Sequence, residues 1–176
     1  MSEVIHNFEI TTFVQILKYI ISKHPNPKIY NVLKMLYLAD KIHLLEYGEL
    51  MTSDTYKKME HGPVASICYD ILKFVRGTDY NRVFDKSIKE EIKRNLNGKL
   101  EISTPPDMDY LSETNIECIT KAIEQYGKYN SKELEELTHD AIYDSVDFNQ
   151  EITVFHMAKE LDKTGKLTEY LLENSI

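Results

Sequence analysis

Apolar residues recur along most of this chain at intervals of three and four, the period of a helix with one buried face. Phe13, Ile16, Leu17, Ile20 and Ile21 make the first such stripe, and Thr11 or Thr12 stands where a cap would start it. His24-Pro25-Asn26-Pro27 ends the stripe, because proline lacks the N–H a helix needs and pushes the residue before it towards extended backbone. A second stripe, with Val32, Leu33, Leu36, Tyr37 and Leu44, predicts a helix over 29–46 that stops at Gly48. Two polar residues, Asp40 and His43, fall within this stripe. Thr55 to Glu60 is rich in Thr and Tyr and reads as a short strand. Gly62 permits a sharp turn. Pro63 suits the first turn of a third helix carrying Val64, Ile67, Ile71, Phe74 and Val75 and stopping at Gly77. The stretch 79–89 is ambiguous, with at most a short helical turn.

The period changes in the middle of the chain. Asn97-Gly98 is a strong hairpin signal, flanked by 92–96 and by 99–103, where Leu100 and Ile102 alternate with polar residues. An isolated hairpin is marginal in water. The expectation is that it joins the 55–60 strand in a three-stranded antiparallel sheet, ended by Pro105-Pro106. Helical spacing then returns. Ser112 caps a helix with Ile116, Ile119, Ile123 and Tyr126 inside, ended by Gly127. Ser131 is read as the cap of the next, with Leu134 and Leu137 inside. Residues 150–162 form an amphipathic segment through Ile152, Phe155, Met157, Ala158 and Leu161, and Gly165 separates it from a last short helix over 167–172. That amphipathic segment suits either a groove on a partner or the protein's own core, and composition does not choose. With no repeat, no low-complexity stretch and no linker, the fold class is α+β, predominantly helical. The expected architecture is a single compact domain over 1–176 with a small three-stranded antiparallel sheet.

Composition narrows the class. The 176 residues are 42% hydrophobic and 28% charged, which is a globular rather than a disordered balance. The formal net charge is −8, so the broad basic face that phosphate backbones require is not expected, and nucleic acid is a disfavoured partner. An acidic surface suits a basic protein partner instead. Cys68 and Cys118 lie in predicted helices among apolar residues, as buried thiols rather than a zinc site or a disulfide framework. The N-terminus has no basic region followed by an apolar run, and no stretch is long enough to cross a bilayer, so a cytoplasmic location and no membrane partner are expected.

The candidate chemistry centres on polar residues in apolar surroundings. Asp40 must be paired or hydrogen-bonded if buried, and an acceptor for a backbone N–H, a Tyr hydroxyl or a His is favoured over a catalytic base. His43 lies one turn on. With His61, His139 and Asp140 it would make an oxygen–nitrogen cluster if the fold gathered them, but two ligands on one helix do not define a metal site. A helix-terminal His in a polar network is the better reading, and neither metal nor cofactor is assigned. His61-Gly62-Pro63 either presents a surface or welds the strand to the helix, with His61 able to reach back to Asp40 or Tyr56. Ser53, Ser66 and Thr138 sit in no nucleophile elbow, and no phosphate-binding glycine loop occurs. Catalytic residues are therefore not assigned.

Two blocks carry a resemblance to a known family. The first runs over 34–72 and holds Lys34, Tyr37, Asp40, His43, Gly48, Asp54, Tyr56 and His61-Gly62-Pro63. The second, over 111–146, holds Leu111-Ser112, Tyr126-Gly127, Ser131 and Leu137-Thr138-His139-Asp140. Together they resemble the Panacea (SocA-like) antitoxin domain of bacteria and phages. One departure is Ala141-Ile142-Tyr143, where the family often has Pro and Trp. Residues 148–176 are less family-like, and a partner-specific element is expected there. The resemblance implies a non-enzymatic antitoxin that neutralises a cognate protein toxin by binding it. The alternative it implies is an adaptor that delivers the toxin to a cytoplasmic protease. A metal-dependent enzyme and a DNA-binding autoregulator are weaker readings. The candidate seam, for partner binding or for structure, is Asp40, His43, Asp54, Tyr56, His61, Gly62, Pro63, Thr138, His139 and Asp140.

Overall fold

The two N-terminal stripes form α1 (Asn7–Lys23) and α2 (Ile29–Tyr47) in the computed structural model, which describes residues 7–78 and 82–174. Helix α1 begins earlier than its apolar stripe, so Thr11 and Thr12 lie inside it rather than capping it. Helix α2 is buried without interruption from Asn31 to Asp40. A helix buried on all sides is an axis around which the rest packs, not a surface helix with one wet face. It ends as the sequence predicts, with Gly48 left-handed at φ 77° and its N–H bonded to the Leu44 carbonyl.

Strands β1 (Tyr56–Met59) and β2 (Gly62–Ala65) follow as a tight antiparallel pair, with Tyr56 opposite Ala65 and Met59 opposite Gly62. Residues 62–65 are thus strand, and helix α3 (Ser66–Arg76) starts later than Pro63 suggests. The reason is Asp54, whose carboxylate accepts the first-turn N–H groups of Ile67 and Cys68 at 2.8 Å each and fixes where the helix begins. A single turn, α4 (Ile88–Glu91), leads into β3 (Ile92–Arg94) and β4 (Leu100–Ile102), with Gly98 at φ 79° in the connecting turn. The expected turn within 79–89 is met at its end by α4, and residues 79–81 lie outside the described residues.

The expected hairpin forms, but it does not pair with β1. It stands apart and tucks Ile92 and Leu100 into the core against α3 and α1. After a 3-10 turn over Met108–Tyr110 come α5 (Glu113–Tyr126), α6 (Ser131–Thr138), α7 (Ala141–Asp144), β5 (Glu151–Ile152), α8 (Val154–Leu161) and α9 (Lys166–Asn174). The three-stranded antiparallel sheet is β2-β1-β5, in which Tyr56 lies opposite Ile152. The predicted 150–162 helix therefore splits. Its first residues complete the sheet, and Thr153 then caps α8 by accepting from the His156 N–H at 3.2 Å. Ser131 is not a cap either. Asn130 takes that role, accepting from the Lys132 and Glu133 N–H groups while the Glu133 carboxylate accepts the Asn130 N–H. Ser112 caps α5 as expected, and Cys68 and Cys118 are buried free thiols. Together these elements make a single compact α+β domain. Among the described residues no helix is long and apolar enough to cross a membrane.

Candidate functional site: a braced polar seam beside α2

Helix α2 turns Lys34, Tyr37, Asp40, Lys41 and His43 towards the sheet and the helices over it, and each finds a partner. Asp40 is fully buried. Its carboxylate accepts the Tyr56 hydroxyl at 2.7 Å and the Met51 N–H at 2.8 Å. Burial pushes its pKa up from 3.8 to about 7, against the pull of those two donors, and the nearby Asp54 charge pushes the same way. The Tyr56 ring meets the Tyr37 ring edge-on at 5.4 Å. The Tyr37 hydroxyl in turn donates to Asp140, 3.2 Å from either oxygen. Asp140 also pairs with the Lys41 ammonium at 2.6 Å and caps α7 by accepting the Tyr143 N–H at 3.0 Å. Two acids far apart in sequence are thus joined through two tyrosines across the middle of the molecule.

Asp54 lies just before β1, at the same end as Tyr56. Besides holding the start of α3, it accepts the Thr55 N–H at 2.7 Å. Burial raises its pKa against the pull of three backbone donors. His43 bridges the Glu49 carbonyl (2.8 Å, through Nδ1) and the Thr114 hydroxyl (2.9 Å, through Nε2). A carbonyl only accepts, so neutral His43 carries its proton on Nδ1 and takes the Thr114 hydroxyl proton on Nε2. Both ring nitrogens are therefore committed to tying the end of α2 to α5.

His61 departs from expectation. Its side chain is 65% exposed and faces Glu135 of α6 at 3.4 Å, so it reaches neither Asp40 nor Tyr56. The turn holding it is a weld all the same. Gly62 has φ 107°, and a Cβ there would strike the Lys34 ammonium and the Thr138 hydroxyl, so three elements close on a position with no side chain. Lys34 donates to the Pro63 carbonyl at 3.2 Å and lies over the Tyr30 ring. Burial lowers its pKa from 10.5 to about 7, opposed by the charges of Glu135 and Asp140. Thr138 spends its hydroxyl on the Leu134 carbonyl of its own helix. His139 stacks on Tyr143 with ring centroids 4.2 Å apart, and Lys58 covers the same Tyr143 ring. Tyr143 also donates to the Met59 carbonyl at 2.9 Å, anchoring the sheet where the family often carries another aromatic.

Asp40, His43, His61 and His139 thus serve four separate networks. Among the described residues no group of three or more His, Cys, Asp or Glu side chains is arranged to hold a metal ion. The members of the seam that the candidate set lacks are Lys34, Tyr37, Lys41 and Tyr143. The signal for Lys34 and Tyr37 was the run 32–39, apolar but for Lys34 itself, which carries that lysine into the core with its neighbours.

The geometry defines a helical scaffold whose buried acids are consumed by hydrogen bonds within the chain. The chain belongs to the antitoxin SocA-like, Panacea domain family, which matches residues 32–142. No curated protein and no solved structure matches it. The matched span runs from Val32 in α2 through the Asp140 cap, so it takes in every member of the seam but Tyr143, while β5, α8 and α9 lie beyond it. The family is one of antitoxins, which implies a toxin as partner and a non-enzymatic role.

Proposed function

We propose that the protein neutralises a cognate protein toxin by direct binding, and that the segment after residue 147 supplies much of the contact. The observation that carries this reading is that the segment beyond the family match keeps large apolar side chains exposed, as the matched span also does at Leu45, Val83, Leu96 and Met108. Phe148, Tyr170 and Leu172 are 57%, 48% and 63% exposed, and all three lie beyond the family match. Large exposed apolar side chains beside charged ones are the usual make-up of a protein contact surface. Glu169 and Glu173 share α9 with Tyr170 and Leu172, and the net charge of −8 favours a partner with a basic contact face. The seam supports the same reading from the other side. Its acids are spent on holding the scaffold, which leaves recognition to the surface.

The test is co-expression with the toxin encoded beside this protein. Growth should be restored, and the two chains should co-purify at equal stoichiometry. Phe148→Asp and Leu172→Asp should abolish rescue while thermal unfolding of the free protein stays unchanged. Failure of the unaltered protein to restore growth against every neighbouring gene product refutes the role. Rescue that survives both substitutions refutes the surface. Rescue that depends on an intact cytoplasmic protease, with a shortened toxin half-life, would replace direct blocking by delivery for degradation.

A further inference from the structure

One cleft runs against the charge of the molecule. It has a volume of about 210 Å³ and lies between the start of α2, the end of α3 and the β3–β4 turn. Its walls carry Lys28, Arg76 and Arg94, with Tyr30, Asn97 and Gly98 between them and no acidic residue. Among the described residues, none of the three cations forms an ion pair, although the chain is strongly acidic overall. Arg76 spends its Nε–H on the Thr78 hydroxyl at 3.1 Å and keeps its other donors.

A backbone tie brings two of the cation-bearing elements, the start of α2 and the hairpin, side by side. The Leu100 N–H donates to the Pro27 carbonyl at 2.7 Å, and Lys28 and Lys99 face each other across an isolated antiparallel bridge. That tie fixes the hairpin against the start of α2. At the turn, a Cβ on Gly98 would stand 3.0 Å from Nη2 of Arg94, so the missing side chain lets the guanidinium lie across the turn. Helix α2 also enters the cleft with no side-chain cap at Lys28 and no acid in its first turn. Among the described residues no carboxylate lines the cleft beside these cations, and like charges close together are unfavourable without an anion between them.

We propose that this cleft binds the diphosphate group of a small ligand, either free pyrophosphate or the diphosphate end of a nucleotide. Charge selects the group. A monophosphate carries about −2 at neutral pH and leaves part of three cations unmatched, whereas a diphosphate matches them. Arginine forks favour phosphate oxygens through paired N–H bonds. Size selects an end rather than a whole ligand, because the cleft falls below the ~300 Å³ at which sites for whole drug-sized molecules begin. Anything attached to the diphosphate extends past Tyr30 into solvent.

Isothermal titration of the full-length protein with inorganic phosphate, pyrophosphate and ADP tests this. Pyrophosphate should bind in one-to-one stoichiometry and more tightly than phosphate. Arg94→Gln and Arg76→Gln should each weaken it by about tenfold or more, while Lys166→Gln, on α9, whose Tyr170 packs at Gly48 at the opposite end of α2, leaves it unchanged. Amide shifts should change around residues 28–30 and 94–98. ADP equal to pyrophosphate identifies the diphosphate alone as the determinant, and ADP tighter adds a contact from the nucleoside. Lack of binding by both overturns the proposal, as does binding indifferent to both arginine substitutions. Capture of an acidic peptide by the cleft when pyrophosphate and ADP do not bind overturns it as well. None of these outcomes bears on toxin neutralisation.

Discussion

Asp40 and Lys34 sit six residues apart on one buried helix, and burial moves their pKa values towards each other, each to about 7. An unfolded chain titrates these groups near ~3.9 and ~10.4. Between about pH 4 and 7 the folded protein keeps a proton on Asp40 that the unfolded chain has released, so stability falls as pH rises through that window. Between about pH 7 and 10 folded Lys34 is neutral while the unfolded chain stays charged, so stability climbs again with pH. The contribution of the pair is therefore least near neutrality. Asp40→Asn should flatten the acid limb and Lys34→Met the alkaline limb, as read by urea denaturation at a series of pH values. An unchanged slope in either variant would show that the group does not govern its limb. Tyr56→Phe removes a buried donor from Asp40 and should lower stability by about 1–3 kcal/mol.

Elements in this protein are bounded by side chains as much as by their own propensities. Helix α6 starts where Asn130 and Glu133 exchange bonds, so Asn130→Ala should cost about 1 kcal/mol in chemical denaturation. Helix α3 starts where a carboxylate from the preceding loop meets its first N–H groups, although Ala65 at its cap offers none. Gly62 decides how closely β2 can approach α2 and α6. Gly62→Ala combines a φ of 107° with a collision at Lys34 and Thr138, and should destabilise by more than the ~1 kcal/mol by which a compatible Gly→Ala change stabilises. Much of this was legible in the sequence. The α2 stripe, its Gly48 stop, the Ser112 cap and the Asn97-Gly98 hairpin depend on near neighbours alone. The start of α3 was not, because Asp54 lies outside the helix it caps. Nor was the pairing of β1, whose second edge is taken by Glu151 and Ile152 from far along the chain.

On the scale of the molecule, α2 is the axis, with α1, α5, α6 and α8 packed around it and the small sheet alongside. The C-terminal segment belongs to this core on one side, through Ile152, Met157 and Ala158, and shows Phe148 and Leu172 to solvent on the other. Composition does not choose between core and partner groove for 150–162, and the folded segment divides: Ile152, Met157 and Ala158 are buried, while Phe155 of α8 is exposed, as are Phe148 before it and Leu172 after it. Met157 is fully buried, so Met157→Ala should lower stability by about 2–5 kcal/mol. Substitution of exposed Leu172 should leave unfolding unchanged, and differential scanning calorimetry of the two variants separates the roles.

Of the candidate seam, the sequence by itself determined that a buried Asp40 would need donors within the chain, which follows from the cost of burying charge, and it favoured a weld over a presented surface at His61-Gly62-Pro63 without deciding between them. It also determined the α+β class, because helical and hairpin patterns are local. Tertiary structure alone decided which donors Asp40 received, that His61 would face Glu135 instead of Asp40, and that three cations with no ion pair among the described residues would gather at the foot of α2. Those outcomes depend on which distant segments lie side by side, and long-range pairing is fixed by the packing of the whole core rather than by any window of the chain.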